Sequence, residues 1–247
     1  MKVKAGTLKE YLKGTLENAV DHSEEPPDLM EAVYEMDRIF QKEFFDDEFD
    51  VSPCAGLLAM NSYILLLASV REALSGHSVS LFPVLRTALE SACYCYLVAL
   101  DREKVQIWTN RHSSLSALQK CRKTFTVKKA TGQLKSLSPE MAEYINEHYE
   151  ACINFGAHPN LRSITNHLSD IVDVDDSYLG FHLTGVYGRN SWEVNYALFI
   201  CLELGQAIAF LFAAASKNHP FIHERLEVFQ KWIDQKKMIE EELKRKA

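Results

Sequence analysis

Apolar residues recur at helical spacing along most of the chain, and glycine and proline are scarce, at 10 and 7 of 247 residues. Residues three and four positions apart lie on one face of an α-helix, so this pattern predicts long helices. We predict helices at 7–21, 28–45, 53–75, 79–99, 101–125, 139–153, 163–172, 191–217 and 220–245. The sequence therefore predicts an all-α fold, a helical bundle.

Capping signals support several of these helix starts. Three pairs have the spacing of a capping box, in which a cap side chain and a carboxylate satisfy each other's backbone amides: Thr7–Glu10, Asp28–Glu31 and Asn190–Glu193. Two serines precede a proline that suits the first helical turn: Ser52-Pro53 and Ser138-Pro139.

Three of the predicted helices are almost wholly apolar. Residues 51–70 carry no charge, 194–216 carry only Glu203, and 79–100 is the third. Helices of this length could span a bilayer. They also suit the centre of a bundle, where a helix is covered on all sides. Because Asn61 and Glu203 would be costly in lipid, we predict central helices and no membrane insertion.

We predict one helical domain over 1–247. Short N-terminal helices in 1–50 pack on a core bundle of 51–217, and an amphipathic helix follows in 218–247. Segment 173–190, with the sequence DVDDSYLGFHLTGVYGRN, has the weakest helical pattern. Its glycines and its β-branched and aromatic residues allow a short hairpin or an ordered loop.

The composition is that of an ordinary globular protein, with 47% hydrophobic and 25% charged residues and a net charge of −7. The six cysteines form no CxxC pair and lie mostly in apolar runs, which favours reduced thiols and a cytoplasmic location. The first twenty residues are too charged for a signal peptide. We predict no cofactor and no metal site, although His219 and His223 have a spacing that metals accept.

Charge is distributed unevenly along the chain. Residues 104–139 contain eight basic residues and no acidic one, whereas 44–50 is an acidic run that we predict to be a solvated loop. The basic segment could attract an anionic ligand or an acidic partner, such as the acidic run of a second copy in a homodimer. Trp108 is its one tryptophan, so base stacking on nucleic acid has little support.

The pair Arg86 and Glu90 lies on the apolar side of its predicted helix. At about 100° per residue, the two share a stripe with Val79, Phe82 and Leu97. They can pair directly, but a guanidinium has more donors than one carboxylate satisfies. Further polar groups should converge here; the candidates are Tyr149, Asn154, His158, Asn160, Asn61 and Glu203. The alternative is a buried salt bridge that only fixes the register of the helices.

The stretch ACINFGAHPN at 151–160 ends a predicted helix. Gly156 suits a helix C-terminus, and Pro159 favours an extended backbone at His158. His158 either caps the helix end or points to Arg86, where its imidazole could act as an acid or a base near neutral pH. With Asn160 beside it, this turn is a candidate part of a ligand site.

Arg86-x-x-x-Glu90 on an apolar helix, followed by Tyr149 and His158, resembles a group of all-helical bacterial proteins of unassigned activity. That group is placed near the HEPN superfamily, helical proteins that handle nucleotides and RNA. The resemblance covers roughly residues 50–170. It implies an all-α fold and a polar centre at these four residues.

Catalytic HEPN ribonucleases carry an arginine a few residues before a histidine. Arg162 and His167 have that spacing in this chain, and so do Arg71 and His77. The resemblance therefore implies an alternative function, a metal-independent ribonuclease or a nucleic-acid-associated defence protein. In it Arg162 with His167, or Arg86 with His158, would perform acid–base chemistry on an RNA backbone.

Our leading expectation is a cytoplasmic protein for ligand binding or assembly. Its ligand-binding residues would be Arg86, Glu90, Tyr149, His158 and Asn160. The observation behind it is the charged pair on an apolar helical stripe.

Overall fold

The computed structural model describes residues 6–46, 49–157, 161–165, 167–175, 178–189, 191–216 and 219–246. Most of them are helical, and the predicted all-α helical bundle is confirmed. The helices are α1 (Leu8–Glu24), α2 (Met30–Phe40), α3 (Pro53–Leu74), α4 (Ser78–Leu100), α5 (Arg102–Thr109), α6 (Leu115–Thr124), α7 (Val127–Leu134), α8 (Pro139–Cys152), α9 (Leu161–Thr165), α10 (Trp192–Ala215) and α11 (Leu226–Lys246).

The apolar helices α3, α4 and α10 pack against one another at the centre. Both α3 and α10 are long and apolar enough to cross a membrane by length and composition alone. The most apolar window of α10 is 89% buried inside the protein, whereas that of α3 is only 44% buried. Helix α10 is therefore apolar because other elements cover it.

One side of α3 faces outward and is apolar. Its exposed residues include Leu57, Met60, Ile64 and Leu67, which follow one another at intervals of three and four positions. The side chains on the opposite side, such as Leu66, are buried in the core. A surface helix ordinarily carries charge on its solvent side, so this face is unusual.

Three of the predicted caps are observed. Thr7 and Glu10 form a complete capping box, and Ser52 and Ser138 each accept a backbone amide in the first turn that follows. The cap predicted at Asp28 is wrong. Helix α2 begins only at Met30, because the amide of Met30 bonds to the carbonyl of Pro27 in a turn.

The helix predicted at 191–217 has a different cap from the one we expected. Ser191 occupies the cap position of α10, and its hydroxyl accepts the amide of Val194. Asn190, the predicted cap, lies outside the described residues. Asn190 and Ser191 are both good helix caps, so the sequence pattern alone does not show which of them occupies the cap position.

The single helix predicted at 101–125 is wrong. The structure has α5 and α6 instead, separated by a turn, and Ser114 caps α6 by accepting the amide of Ala117. Helix α7, which was not predicted, follows with Thr126 as its cap. Ser114 and Thr126 have an extended backbone as helix caps, so the preceding helix has to end before each of them.

The helix predicted at 163–172 is also wrong beyond its first turn. Helix α9 ends at Thr165, and an antiparallel hairpin follows, formed by β1 (Leu168–Asp175) and β2 (Tyr178–Leu183). The predicted hairpin is therefore present, but it begins before the expected start at 173. β-branched residues between 171 and 174 favour a strand over the helix that we assigned.

The acidic run at 44–50 is not simply a solvated loop. A π-helical segment, Gln41–Phe45, continues α2 and places the ring of Phe44 in the core. There Phe44 stacks on His219 and packs edge-on against Phe212. The buried ring of Phe44 holds this segment against the core. The prediction of a solvated loop gave too much weight to the neighbouring acidic residues.

The C-terminal segment docks on the bundle, as expected, through Phe221, Phe229 and Trp232, all of which are buried. Leu226, in the same segment, is about half exposed. Helix α11 starts there after a short 3-10 helix, Pro220–Ile222. Leu226 precedes the turn at which α11 meets the core.

Candidate functional site

Helix α4 carries a proline one turn before its charged pair. Pro83 has no amide hydrogen, so the carbonyl of Val79 lacks the donor that an α-helix would supply. The hydroxyl of Thr87 donates to the carbonyl of Pro83 at 2.9 Å. The helix therefore stays continuous but lacks one backbone hydrogen bond just before Arg86.

Arg86, Glu90 and Tyr149 form a closed triangle of hydrogen bonds, which we call the polar triad. The Nε atom of Arg86 donates to Oε1 of Glu90 at 3.0 Å, and its terminal nitrogen donates to the Tyr149 hydroxyl at 3.2 Å. The same hydroxyl donates to Oε1 of Glu90 at 3.0 Å. The guanidinium carbon also lies 5.4 Å from the centre of the Tyr149 ring. The predicted pairing of Arg86 with Glu90 and Tyr149 is thus observed.

The polar triad is only partly buried. The side chains of Arg86 and Glu90 are 27% and 26% exposed. Burial works against the charge of Arg86, but the charge of Glu90 and the bond to Tyr149 outweigh it and raise the pKa of Arg86. Burial, followed by the charge of Glu90, raises the pKa of the Tyr149 hydroxyl. At neutral pH the guanidinium of Arg86 is therefore charged and the hydroxyl of Tyr149 is neutral, and both side chains are partly exposed.

A π-helical segment, Ile153–Ala157, continues α8 and packs on α4 beside the triad. A Cβ atom on Gly156 would lie 2.9 Å from the carbonyl oxygen of Val79 and 3.0 Å from Cβ of Phe82. Gly156 was predicted to end the helix, but it instead permits this close approach. π-Helical turns occur frequently at functional sites.

The residues that follow the π-helical segment lie outside the described residues. These are His158, Pro159 and Asn160. The contact between His158 and Arg86 therefore stays a prediction, as does the role of Asn160.

Two other candidates do not join the triad. The amide of Asn61 donates to the hydroxyl of Ser91 at 2.8 Å. Glu203 is engaged by a different set of side chains, described below. Both predictions placed a polar residue of an apolar helix at the wrong site. The sequence shows which side of a helix a residue lies on, but it does not show which other helix packs on that side.

The ribonuclease candidates His77 and His167 lie near each other, since the charge of His77 acts on the pKa of His167. The Nδ1 atom of His167 lies 2.7 Å from the Tyr187 hydroxyl, and burial lowers the pKa of His167. The side chain of Arg162 lies outside the part of the chain that the structure describes, so its contact with His167 stays a prediction. Arg71 and His77 both approach Glu72, at 2.5 Å and 3.8 Å.

Four side chains form a buried cluster that the sequence did not predict, which we call the Glu203 cluster. Oε1 of Glu203 lies 2.8 Å from Nζ of Lys236, and Oε2 lies 2.9 Å from Nε2 of His148. Tyr144 donates its hydroxyl to Glu203, and Lys236 donates to that hydroxyl at 2.6 Å. Lys236 is 5% exposed. The cluster connects α8, α10 and α11 within the core.

The Glu203 cluster should make stability depend on acidic pH. Burial alone would raise the pKa of Glu203, but His148 and Lys236 outweigh it and hold the pKa at about 2, against an ordinary 4.5. The stabilisation is thus present above pH 4.5 and is lost as the pH falls towards 2. We expect the free energy of unfolding to fall by about 3 kcal/mol over this window, measured by urea unfolding.

The matched variant for this measurement is Glu203→Gln. It removes the titrating group, so the difference in unfolding free energy between wild type and variant should shrink as the pH falls. A difference that stays constant from pH 5 to pH 2 would contradict the assigned pKa.

His219, one of two residues with metal-compatible spacing, has a different role. Its Nδ1 atom accepts the amide of Phe221 at 3.2 Å and so caps the 3-10 helix. Among the residues that the structure describes, no three or more His, Cys, Asp or Glu side chains are grouped to hold a metal ion.

Together, the fold and the site define an all-α helical bundle with a partly exposed Arg–Glu–Tyr triad between the apolar central helix α4 and helix α8. Comparison of the chain with protein-family models, with curated proteins and with solved structures finds no match. The resemblance to HEPN proteins therefore stays a prediction.

Proposed function

We propose that this chain is a cytoplasmic binding protein whose ligand site is centred on the polar triad. The observation that carries the proposal is the triad itself: Arg86 and Glu90 lie on an otherwise apolar stripe of α4, within reach of solvent, and Tyr149 of α8 bonds to both. A cytoplasmic location agrees with six cysteines that are all free thiols.

The chemistry of the triad favours a particular ligand class. Its formal charges cancel, so it offers no net attraction to an ion. It does present a guanidinium donor beside a carboxylate acceptor, with an aromatic ring next to them. That arrangement matches a small uncharged ligand whose edge carries an acceptor next to a donor, such as a primary amide or a nucleobase.

The probes for this proposal are nicotinamide, cytidine and guanosine, tested by saturation-transfer NMR against the full chain. We expect at least one of them to bind, and Glu90→Gln to weaken its binding about tenfold because the charged acceptor is lost. Tyr149→Phe removes one hydroxyl and keeps the ring, so it should weaken binding less. The absence of binding by all three probes, or equal binding by the Glu90→Gln variant, would overturn the proposal.

Assembly is a second candidate function, and the outward face of α3 favours it. Leu57, Met60, Ile64 and Leu67 have the alternating three and four spacing of a coiled-coil seam, which is complementary to a second helix of the same kind. We propose that a second copy of this chain covers this face.

Sedimentation equilibrium tests the dimer. Ile64→Lys places a charge at the centre of the seam and should leave a monomer. The control Leu16→Lys alters an exposed apolar residue on α1 and should leave the dimer intact. A wild-type monomer, or a dimer that survives Ile64→Lys, would overturn this proposal.

The ribonuclease alternative has a simple test. A labelled RNA should be cleaved by wild type and not by His167→Ala if His167, with its neutral imidazole held by Tyr187, is a general base. RNA that remains intact with wild type would exclude this function.

A further inference from the structure

Four of the six lysines of the basic segment line one groove, formed by the start of α5, the end of α6 and the length of α7. We call it the lysine groove. Its volume is about 660 Å³, within the usual range for small-molecule sites. The lining residues are Leu97, Lys104, Lys123, Thr124, Thr126, Lys128, Lys129, Gly132 and Gln133. None of them is acidic.

Most of the positive charge in the groove is uncompensated. Lys104 lies 3.5 Å from Asp101, but Lys123, Lys128 and Lys129 form no ion pair with any other residue that the structure describes. These three side chains are exposed. In a chain with a net charge of −7, three unpaired cations around one groove concentrate the positive potential there.

Gly132 is a separate observation that points to an occupant. It lies inside α7 and lines the groove, and a Cβ atom placed on it would meet nothing within 4 Å. Glycine weakens a helix interior relative to alanine, and no neighbour in the fold requires it here. Its effect is to leave the backbone of α7 open to a molecule in the groove.

We propose that the lysine groove binds a small ligand with two or more phosphate groups. Lysine is a point-charge donor suited to phosphate, and several lysines can share the charge of a polyphosphate. Thr124 and Thr126 line the same groove, although both hydroxyls already bond to the backbone. No aromatic ring is among the lining residues, so the site offers no surface for stacking the bases of single-stranded nucleic acid. This proposal does not depend on the function of the polar triad.

Isothermal titration calorimetry with sodium tripolyphosphate tests the proposal. We expect wild type to bind it, with weaker binding at higher salt because the lysines are exposed. The triple variant Lys123→Gln/Lys128→Gln/Lys129→Gln should bind it about tenfold more weakly or worse.

The control is a second triple variant with the same change in net charge, Lys9→Gln/Lys231→Gln/Lys237→Gln. These lysines are exposed and lie on α1 and α11, away from the groove, so binding should match wild type. Equal losses in the two triple variants would show that only net charge matters and would overturn the site.

Gly132→Gln provides a test that leaves every charge in place. The long neutral side chain should occupy the groove and lower the affinity about tenfold, while the melting temperature stays the same or rises because glutamine suits a helix better. Unchanged affinity would show that the anion binds elsewhere. Tighter binding of a single-stranded RNA than of tripolyphosphate would overturn the ligand class in favour of nucleic acid, and no binding of tripolyphosphate would overturn the proposal entirely.

Discussion

Replacing Lys236 with alanine should lower the free energy of unfolding by about 3–5 kcal/mol, the usual cost of removing one partner from a buried ion pair. The ammonium of Lys236 lies 2.8 Å from Glu203 and 2.6 Å from the Tyr144 hydroxyl. Without it, the Glu203 carboxylate stays in the core with its strongest charge partner missing. Urea unfolding followed by circular dichroism measures the change.

The neighbouring lysine supplies the control. Lys237 is exposed on the same helix, so Lys237→Ala removes an equal charge and should change stability by no more than about 0.5 kcal/mol. If Lys236→Ala were as mild as Lys237→Ala, the Glu203 cluster would not anchor α11. A useful extension is Lys236→Met in a Glu203→Gln background, which should recover part of the loss because no charge is then left unpaired.

Gly76→Ala should destabilise the chain by about 2–5 kcal/mol, combining the cost of a left-handed backbone with that of overpacking. Gly76 has a φ of 79°, and a Cβ atom there would lie 2.1 Å from the carbonyl oxygen of Tyr187. The carbonyl of Gly76 also accepts the amide of Tyr187 at 2.9 Å, and Asn18 donates to the carbonyl of Tyr187 at 2.8 Å. The substitution would therefore separate α1, the α3–α4 turn and the segment after β2.

Gly188→Ala is the matched control, because a Cβ atom at Gly188 meets no atom of the described residues within 4 Å. We expect its melting temperature to stay within a few degrees of wild type, whereas that of Gly76→Ala should fall well below it. Equal melting temperatures would mean that the turn at Gly76 is not the junction described above. Asn18→Ala should show a smaller loss, since it removes one polar contact and leaves the backbone in place.

The helical core could be predicted from the sequence because its signals are local. Apolar residues at helical spacing define α3, α4 and α10, and a serine before a proline fixes the start of α3. The predicted start of the hairpin, at residue 173, was wrong because local signals there favoured a helix. Ser163 reads as a helix cap, and the strand preference of the residues from 168 onward prevails only once β2 pairs with β1.

The two polar sites differ in how far the sequence reveals them. Arg86 and Glu90 are one turn apart on the same helix, so their pairing follows from spacing alone. Glu203 is the one charge in residues 194–216, which indicates that it must have a partner, but its partners come from α8 and α11. Which helix lies against which is a property of the packed bundle, and no local pattern contains it.

We propose that the polar triad binds a ligand and does not merely hold α4 and α8 together. The most direct test of this proposal is denaturant unfolding of the single variant Arg86→Met, which removes one partner of the pair and leaves the other in place. Because the pair is about one quarter exposed, we predict a loss of no more than about 1 kcal/mol, together with loss of probe binding. A loss of about 3 kcal/mol or more, with probe binding unchanged, would show that the pair only fixes the packing of the helices.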